Sequence, residues 1–542
     1  MNQKSKEGNT MENSSYGMQP YAPQYTGVNN AYAPGQKIEN AFKPDISDFL
    51  FALVTFALGY LFSRWVFTAW QGWGVSVFTT AYLLAATAYL IKKGAFAATG
   101  AAFFWMAITW AAGISYALWD NVGFSGTRAL FLLCSAVYYI IIASDSALMG
   151  KTGNYLLIDG FNAVIIIPFR NYFNQYVSFI ALRKRTDKPG KGLPVFLGAV
   201  LAIVLAVVLI PMLEQADSGG FGMILGFFRD IFSFRIAEFA FFAIISIPMS
   251  AYIYGLVSGA AHRKGTTIMD PESAGKAVSM LRFLQPATIY IALGAVCGLY
   301  LVFIFSQTPY FFSAFSGNRP DGWLVYAEYA RRGFFELCGI AAINLGVLTA
   351  CNIMCEKRRI EARVLKIFNI ALAVITLLLI ATAFSKMAMY IDIYGLTMPR
   401  LLPCVFMVLL AAVFVALIAL QKWDFSIVRF ALVTGAVMLC ALCLCNPDAL
   451  VVRYNTERYL CGTLPEYDLV ILRRAGGAGI RPALEVYEHE KTGDSALKYE
   501  LYSYLTSAKT IYDPEYNGGI GQGAHTLSLE SHQAHKALLA FP

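Results

Sequence analysis

Uncharged apolar runs of 18 residues or more recur along this chain between about residues 47 and 445, and no other feature constrains its fold as strongly. Such runs read as membrane spans, because in lipid a helix satisfies all of its own backbone polar groups. The expected fold class is all-α: a polytopic transmembrane helix bundle of about 11 spans with a small helical C-terminal appendage. Composition enters only as support. The 542 residues are 57% hydrophobic and 14% charged, with a mean hydropathy of +0.55, which excludes a string of soluble domains.

The runs place spans at about 47–69, 73–91, 95–118, 127–144, 194–213, 236–258, 285–306, 333–354, 364–388, 401–420 and 426–445. Trp65, Trp70, Trp73, Trp119, Trp323 and Trp423 fall near their ends, as interfacial aromatics do. Residues 1–44 are rich in Asn, Gln, Tyr, Pro and Gly and read as a disordered polar tail. Residues 45–445 form the transmembrane domain, residues 446–512 a helical extramembrane region and residues 513–542 a loose C-terminal tail. Within the membrane domain, 145–192 reads as an interfacial or re-entrant segment, since Pro168 and Arg170 break its apolar centre.

The net charge of +8 does not signal nucleic acid, because Lys and Arg concentrate in short loops between apolar runs. Their alternation places the N-terminus and the Arg183–Lys191 loop in the cytoplasm of a multi-pass cell-membrane protein. With eleven spans the C-terminal region then lies outside. The basic run Arg183, Lys184 and Arg185 suits a leaflet of anionic lipids.

The charged stretch Tyr326–Asn344, YAEYARRGFFELCGIAAIN, opens the run at 333–354. Helical spacing stacks Glu328, Arg332 and Glu336 on one stripe, with Arg331 one turn from Glu328 and Asn344 extending the stripe inward. An unpaired charge at the depth of Glu336 costs about 2–3.5 kcal/mol. Two readings stand: a structural ion-pair ladder, or a cavity-facing set that binds a polar or anionic ligand through Arg. A second polar block holds Lys386, Tyr390, Asp392 and Arg400, with Asp392 placed to reach Arg400. A third is NPDALVVRYNTERYL (Asn446–Leu460), with Asp448, Arg453, Asn455 and Arg458. All three fall on the outer face by the loop pattern, where they can converge.

Other polar features read as ordinary. Arg64 is expected to snorkel, Glu238 to pair with Arg235, and His262 to sit in a solvated loop. Cys440, Cys443 and Cys445 fan around a helix as small packing residues, and His532 and His535 lack metal-ligand companions. No disulfide framework is expected, because Cys461 alone lies outside the apolar runs. No HExxH, GxSxG, Walker A or GxGxxG pattern is present. No metal, cofactor or nucleic acid is therefore expected.

The block from Phe305 to Asn344, with Gln307, Tyr310, Phe311, Pro320 and YAEYARRGFFEL, resembles the bacterial domain-of-unknown-function family 4173, close to family 4153. Ser385-Lys386 through GLTMPR (Gly395–Arg400) and Asn446–Leu460 fit the same resemblance, which covers roughly 41–488. It implies an integral membrane protein without an established activity. The functional reading is a transporter-like or ligand-binding protein with a polar Glu/Arg site at the outer mouth. The rival is an envelope-assembly or sensor partner that binds proteins or lipids. A membrane enzyme on lipid-linked substrates comes last, with Asp448 and Glu336 as its only attractive acid–base groups, so the chain is read as not an enzyme.

Overall fold

The first span begins where Asp45 and Asp48 form a reciprocal capping box, which fixes the helix start at Ile46. The computed structural model describes residues 42–541 apart from 149–151, 154, 264–270, 317–322, 355–360, 491–495, 514–522 and, except for 198, 202 and 205, 186–233. Side chains are further undescribed at 182–185, 234–237, 240, 271–274, 277, 307–316, 323–332 and 361–362. The N-terminal tail, the loop beyond Arg185 and almost all of the run at 194–213 thus lie outside the described residues.

All elements among the described residues are helical, and eleven helices are long and apolar enough to cross a membrane. They are Ile46–Phe67, Gly72–Lys92, Gly100–Leu118, Val122–Ala143, Leu156–Ala181, Phe241–His262, Pro286–Ser306, Gly333–Met354, Arg363–Tyr394, Met398–Leu420 and Ile427–Cys445. The protein is a multi-pass membrane protein with an all-α fold.

Two apolar cores divide the bundle. One gathers the first four spans with Phe241–His262, and Cys440 and Cys443 of the last span pack into it. The other lies among Pro286–Ser306, Gly333–Met354, Arg363–Tyr394 and Met398–Leu420. A third core, around Leu472, Ile480, Leu501, Leu505 and Leu538, belongs to the helices after Cys445. Many apolar side chains elsewhere on the spans are exposed, among them Leu84, Ile291, Phe305 and Ile367, as a lipid-facing surface requires.

The two ends of the bundle are marked by contacts between loops. At one end the Ala97 amide donates to Ala143 O, and Arg429 donates to Thr152 O. At the other, Trp119 Nε1 donates to Leu444 O at 2.9 Å. Leu156–Ala181 meets the first kind of end. A π-helical turn at Asn162–Ile166, Pro168 and the turn after Arg170 interrupt it. Its partners are Ala52, Thr55, Phe49 and Phe56 on the first span, and Ser250, Tyr252 and Tyr254 on the sixth. A Cβ on Gly255 would overlap the Pro168 carbonyl, and one on Gly259 the Asn171 amide, so these glycines admit the broken helix against the sixth span. The segment therefore has the length of a span while packing along the half of the bundle that holds Asp48 and His262.

The end of the chain differs most from expectation. Residues 523–541 are not loose: Ser528 caps a helix at Leu529–Leu539 with a reciprocal box, and its Ala534 and Leu538 join the third core. Upstream, Trp73 Nε1 donates to Ala524 O at 2.8 Å, which fastens this segment to the start of the second span. The stretch is short and polar, and only burial against the rest of the protein orders it.

Candidate functional site

Asn446 both ends the last span and begins the helix Pro447–Leu460. It adopts left-handed backbone geometry with φ of 50°, its side-chain oxygen caps the Ala449 amide, and Pro447 takes the first helical turn. That tight reversal places Asp448 under the bundle rather than in water. Its carboxylate meets the backbone of Gly123 and Phe124, beyond the third span, and it is only 2% exposed.

Around this reversal the protein buries three carboxylates. Asp120 Oδ1 accepts from Ser528 Oγ at 2.6 Å and Ser531 Oγ at 2.7 Å, and its Oδ2 accepts the Gly477 amide at 3.0 Å. Glu530 Oε1 accepts Asn446 Nδ2 at 2.6 Å. Burial raises Glu530 to about 7, helped by the charge of Asp120 and opposed by its bonds to the Asp120 amide and Asn446. Arg128, fully buried, lies over the Tyr116 ring at 3.8 Å and donates to Trp119 O at 3.0 Å and Asp120 O at 2.8 Å. It thereby holds the carbonyls just beyond the third span and brings positive charge under the carboxylates.

Asp448 differs from the other two acids. Its Oδ2 finds no hydrogen-bond partner among the described residues, and neither side-chain amide atom of the fully buried Asn121, two residues before Gly123, finds one there. Burial pushes the Asp448 carboxyl up to about 6; the backbone bonds and the nearby Arg128 and Arg474 oppose the rise. Asp448 also lines a recess of about 50 Å³ with Thr397, Met398, Val451, Asp468, Val470, Ile471 and Arg474. Such a group takes up either a proton or a cationic donor.

The residues expected to form a site fall into several places. Arg400 lies over Tyr390 at 4.4 Å and donates to the Tyr394 and Gly395 carbonyls, while Asp392 pairs with Arg458 at 3.3 Å. Asn455 donates to Leu396 O and accepts the Leu396 amide, both at 2.7 Å, so the second and third polar blocks meet. Gly395 permits this, since a Cβ there would strike the Asn455 side chain and its φ is +75°. Arg453 is exposed and pairs with Glu457 at 2.7 Å, away from the recess.

In the first block, the side chains of Glu328, Arg331 and Arg332 lie outside the described residues. Glu336 is exposed, whereas Asn344 is fully buried, accepting from Tyr300 OH at 2.7 Å and donating to Thr376 Oγ1 at 2.9 Å. Asn344 thus ties three spans together and does not continue an exposed stripe from Glu336. Lys386 reaches toward Gly333 and interacts with Glu336, bringing the first two blocks to the same end of the bundle.

Two further expectations change. His262 is not simply solvated: its Nε2 lies 3.0 Å from Oδ1 of the fully buried Asp48, which also accepts from Tyr89 OH at 2.5 Å and Lys93 Nζ at 2.8 Å. Glu238 faces Arg64 at 3.9 Å, and Arg64 also lies 5.9 Å from the Phe242 ring. Both come from antiparallel packing of the first and sixth spans, which spacing along one helix does not reveal. Asp120, Arg128, Arg474 and Glu530 were likewise missed. A lone Arg near the mouth of an apolar run was the available signal for Arg128.

A family described as Domain of unknown function (DUF4153) matches residues 106–485. No curated protein and no solved structure matches the chain.

Proposed function

Because the chain belongs to the family Domain of unknown function (DUF4153), whose description carries no activity, we propose its role from its own residues: it binds a small polar ligand where the membrane bundle meets its C-terminal helices. One observation carries this reading. Asp448, in the wall of a recess, is a buried carboxylate with one oxygen that finds no hydrogen-bond partner among the described residues, a costly arrangement for a purely structural acid. In this reading Asp448 and Arg474 carry the outer-mouth site; the side chains of Glu328 and Arg332 lie outside the described residues.

The Lys/Arg pattern places this junction outside the cell membrane and the N-terminus in the cytoplasm, with Arg183, Lys184 and Arg185 meeting anionic lipid. The protein acts by binding, as a transporter or receptor for its ligand and not as an enzyme. Its narrower kinship with family 4173 rests on the YAEYARRGFFEL block and belongs to the same proposal.

Asp448→Asn tests the role. Asn keeps an acceptor for Gly123 and Phe124 but removes the buried charge. A binding acid predicts unchanged or higher thermal stability in detergent, together with loss of the stabilisation that small polar solutes give the parent protein. A structural acid predicts a drop in stability of the size seen for core substitutions.

A further inference from the structure

The walls of the recess carry both signs of charge. Asp448 supplies a desolvated carboxylate, while Arg474 supplies an exposed guanidinium close enough to act on it electrostatically. Asp468 adds a second carboxylate, of which Oδ1 is engaged in capping the Val470 amide at 2.8 Å. Thr397 heads the tenth span without using its hydroxyl as a cap.

A ligand that leaves none of these groups uncompensated must itself carry both signs. An ammonium donates three hydrogen bonds and matches a carboxylate lacking a donor, whereas a carboxylate or phosphate matches the planar fork of Arg. The recess, at about 50 Å³, admits only a head of a few heavy atoms. A larger remainder would stay outside it.

We propose that the recess between the start of the tenth span and the helices beyond the last span binds a small zwitterionic head group. Its ammonium meets Asp448 and its acidic group meets Arg474. This rests on the binding role assigned to Asp448 and adds the chemical class of the ligand. The same chemistry occurs in a free amino acid and in an aminophosphate lipid head.

Ligand-induced change in melting temperature, measured on the full chain in detergent, separates the possibilities. The probes are glycine, phosphoethanolamine, ethanolamine (cation only), acetate and inorganic phosphate (anions only), and short-chain phosphatidylethanolamine beside the matching phosphatidylglycerol. The expected result is stabilisation by zwitterions alone, with apparent affinity falling about tenfold or more in both Asp448→Asn and Arg474→Gln, since each loses a charge-assisted contact. A response to glycine assigns a free solute. A response to phosphatidylethanolamine but not to glycine or phosphatidylglycerol assigns a lipid head, and both outcomes support the class.

Stabilisation by ethanolamine or by anions alone, still lost in Asp448→Asn, overturns the zwitterion while leaving the binding role standing. If zwitterions stabilise the Asp448→Asn and Arg474→Gln proteins as well as the parent, the site and the class both fall. No response to any probe, with a parent that melts cooperatively, overturns the zwitterion. In that case the stability of Asp448→Asn alone decides the binding role.

Discussion

Glu530, twelve residues from the end of the chain, accepts the backbone amide of Asp120 at 2.9 Å across 410 positions of sequence. The contact joins the loop after the third span to the last helix, and Asn446 closes the other side of the same carboxylate. The C-terminal segment is therefore part of the mouth of the bundle, and two of its buried acids titrate near neutral pH.

That titration sets a pH dependence with a definite sign. Glu530 rises from 4.5 to about 7 and Asp448 from 3.8 to about 6, both through burial first. The folded state binds these protons more tightly than the unfolded state does, so the stability they contribute is complete below about pH 4. It is lost as pH rises through 6 to 7. Hydrogen exchange in Leu529–Leu539 is expected to show stronger protection at pH 5 than at pH 8, by about 2–3 kcal/mol if Glu530 dominates. Glu530→Gln should flatten the difference, and protection that instead grows with pH would refute the assignment.

Arg128 is predicted to be among the least replaceable side chains. Substituting Leu strands the carbonyls of Trp119 and Asp120, and a loss of about 2–4 kcal/mol in unfolding stability is expected. Lys keeps the charge but cannot fork between two carbonyls, so it should recover only part. Equal stability of the Leu variant and the parent would show that the guanidinium does not hold this loop.

At the opposite end, Asp48→Asn removes the buried anion that Lys93 and His262 share and leaves Lys93 only the exposed Asp45. Removing one partner of such a buried set costs about 3–5 kcal/mol. Replacing Lys93 by Met in the same protein should restore part of that, because the half-compensated cation, left with only the exposed Asp45 at 2.9 Å, is gone. A thermal double-mutant cycle measures the coupling, and strictly additive effects would mean that the pair does not interact.

Topology is open to direct chemistry. Cys461 is exposed just beyond Pro447–Leu460, on the side proposed to be external. A membrane-impermeant maleimide should label it in intact cells, with the other cysteines replaced. Labelling only after permeabilisation would place the recess in the cytoplasm.

The sequence by itself determined the helical membrane fold and most span positions, because the cost of placing charge or unpaired backbone in lipid is local and is written into each run of residues. It also marked Asn446–Leu460, with Asp448 and Asn455, as a polar block just past the last span, since a run of charged and amide side chains after an apolar stretch is visible locally. Tertiary structure decided which polar groups meet. Asp48 reaches His262, Asn455 reaches Leu396 and Asp120 reaches Ser528 only because distant helices pack side by side. Helical spacing reports which residues share a face of one helix, and it contains nothing about the neighbour that face will find. The segment around Glu530 is the clearest case: its few apolar residues cannot order it alone, and the buried Asp120 that fixes it lies at the far end of the third span.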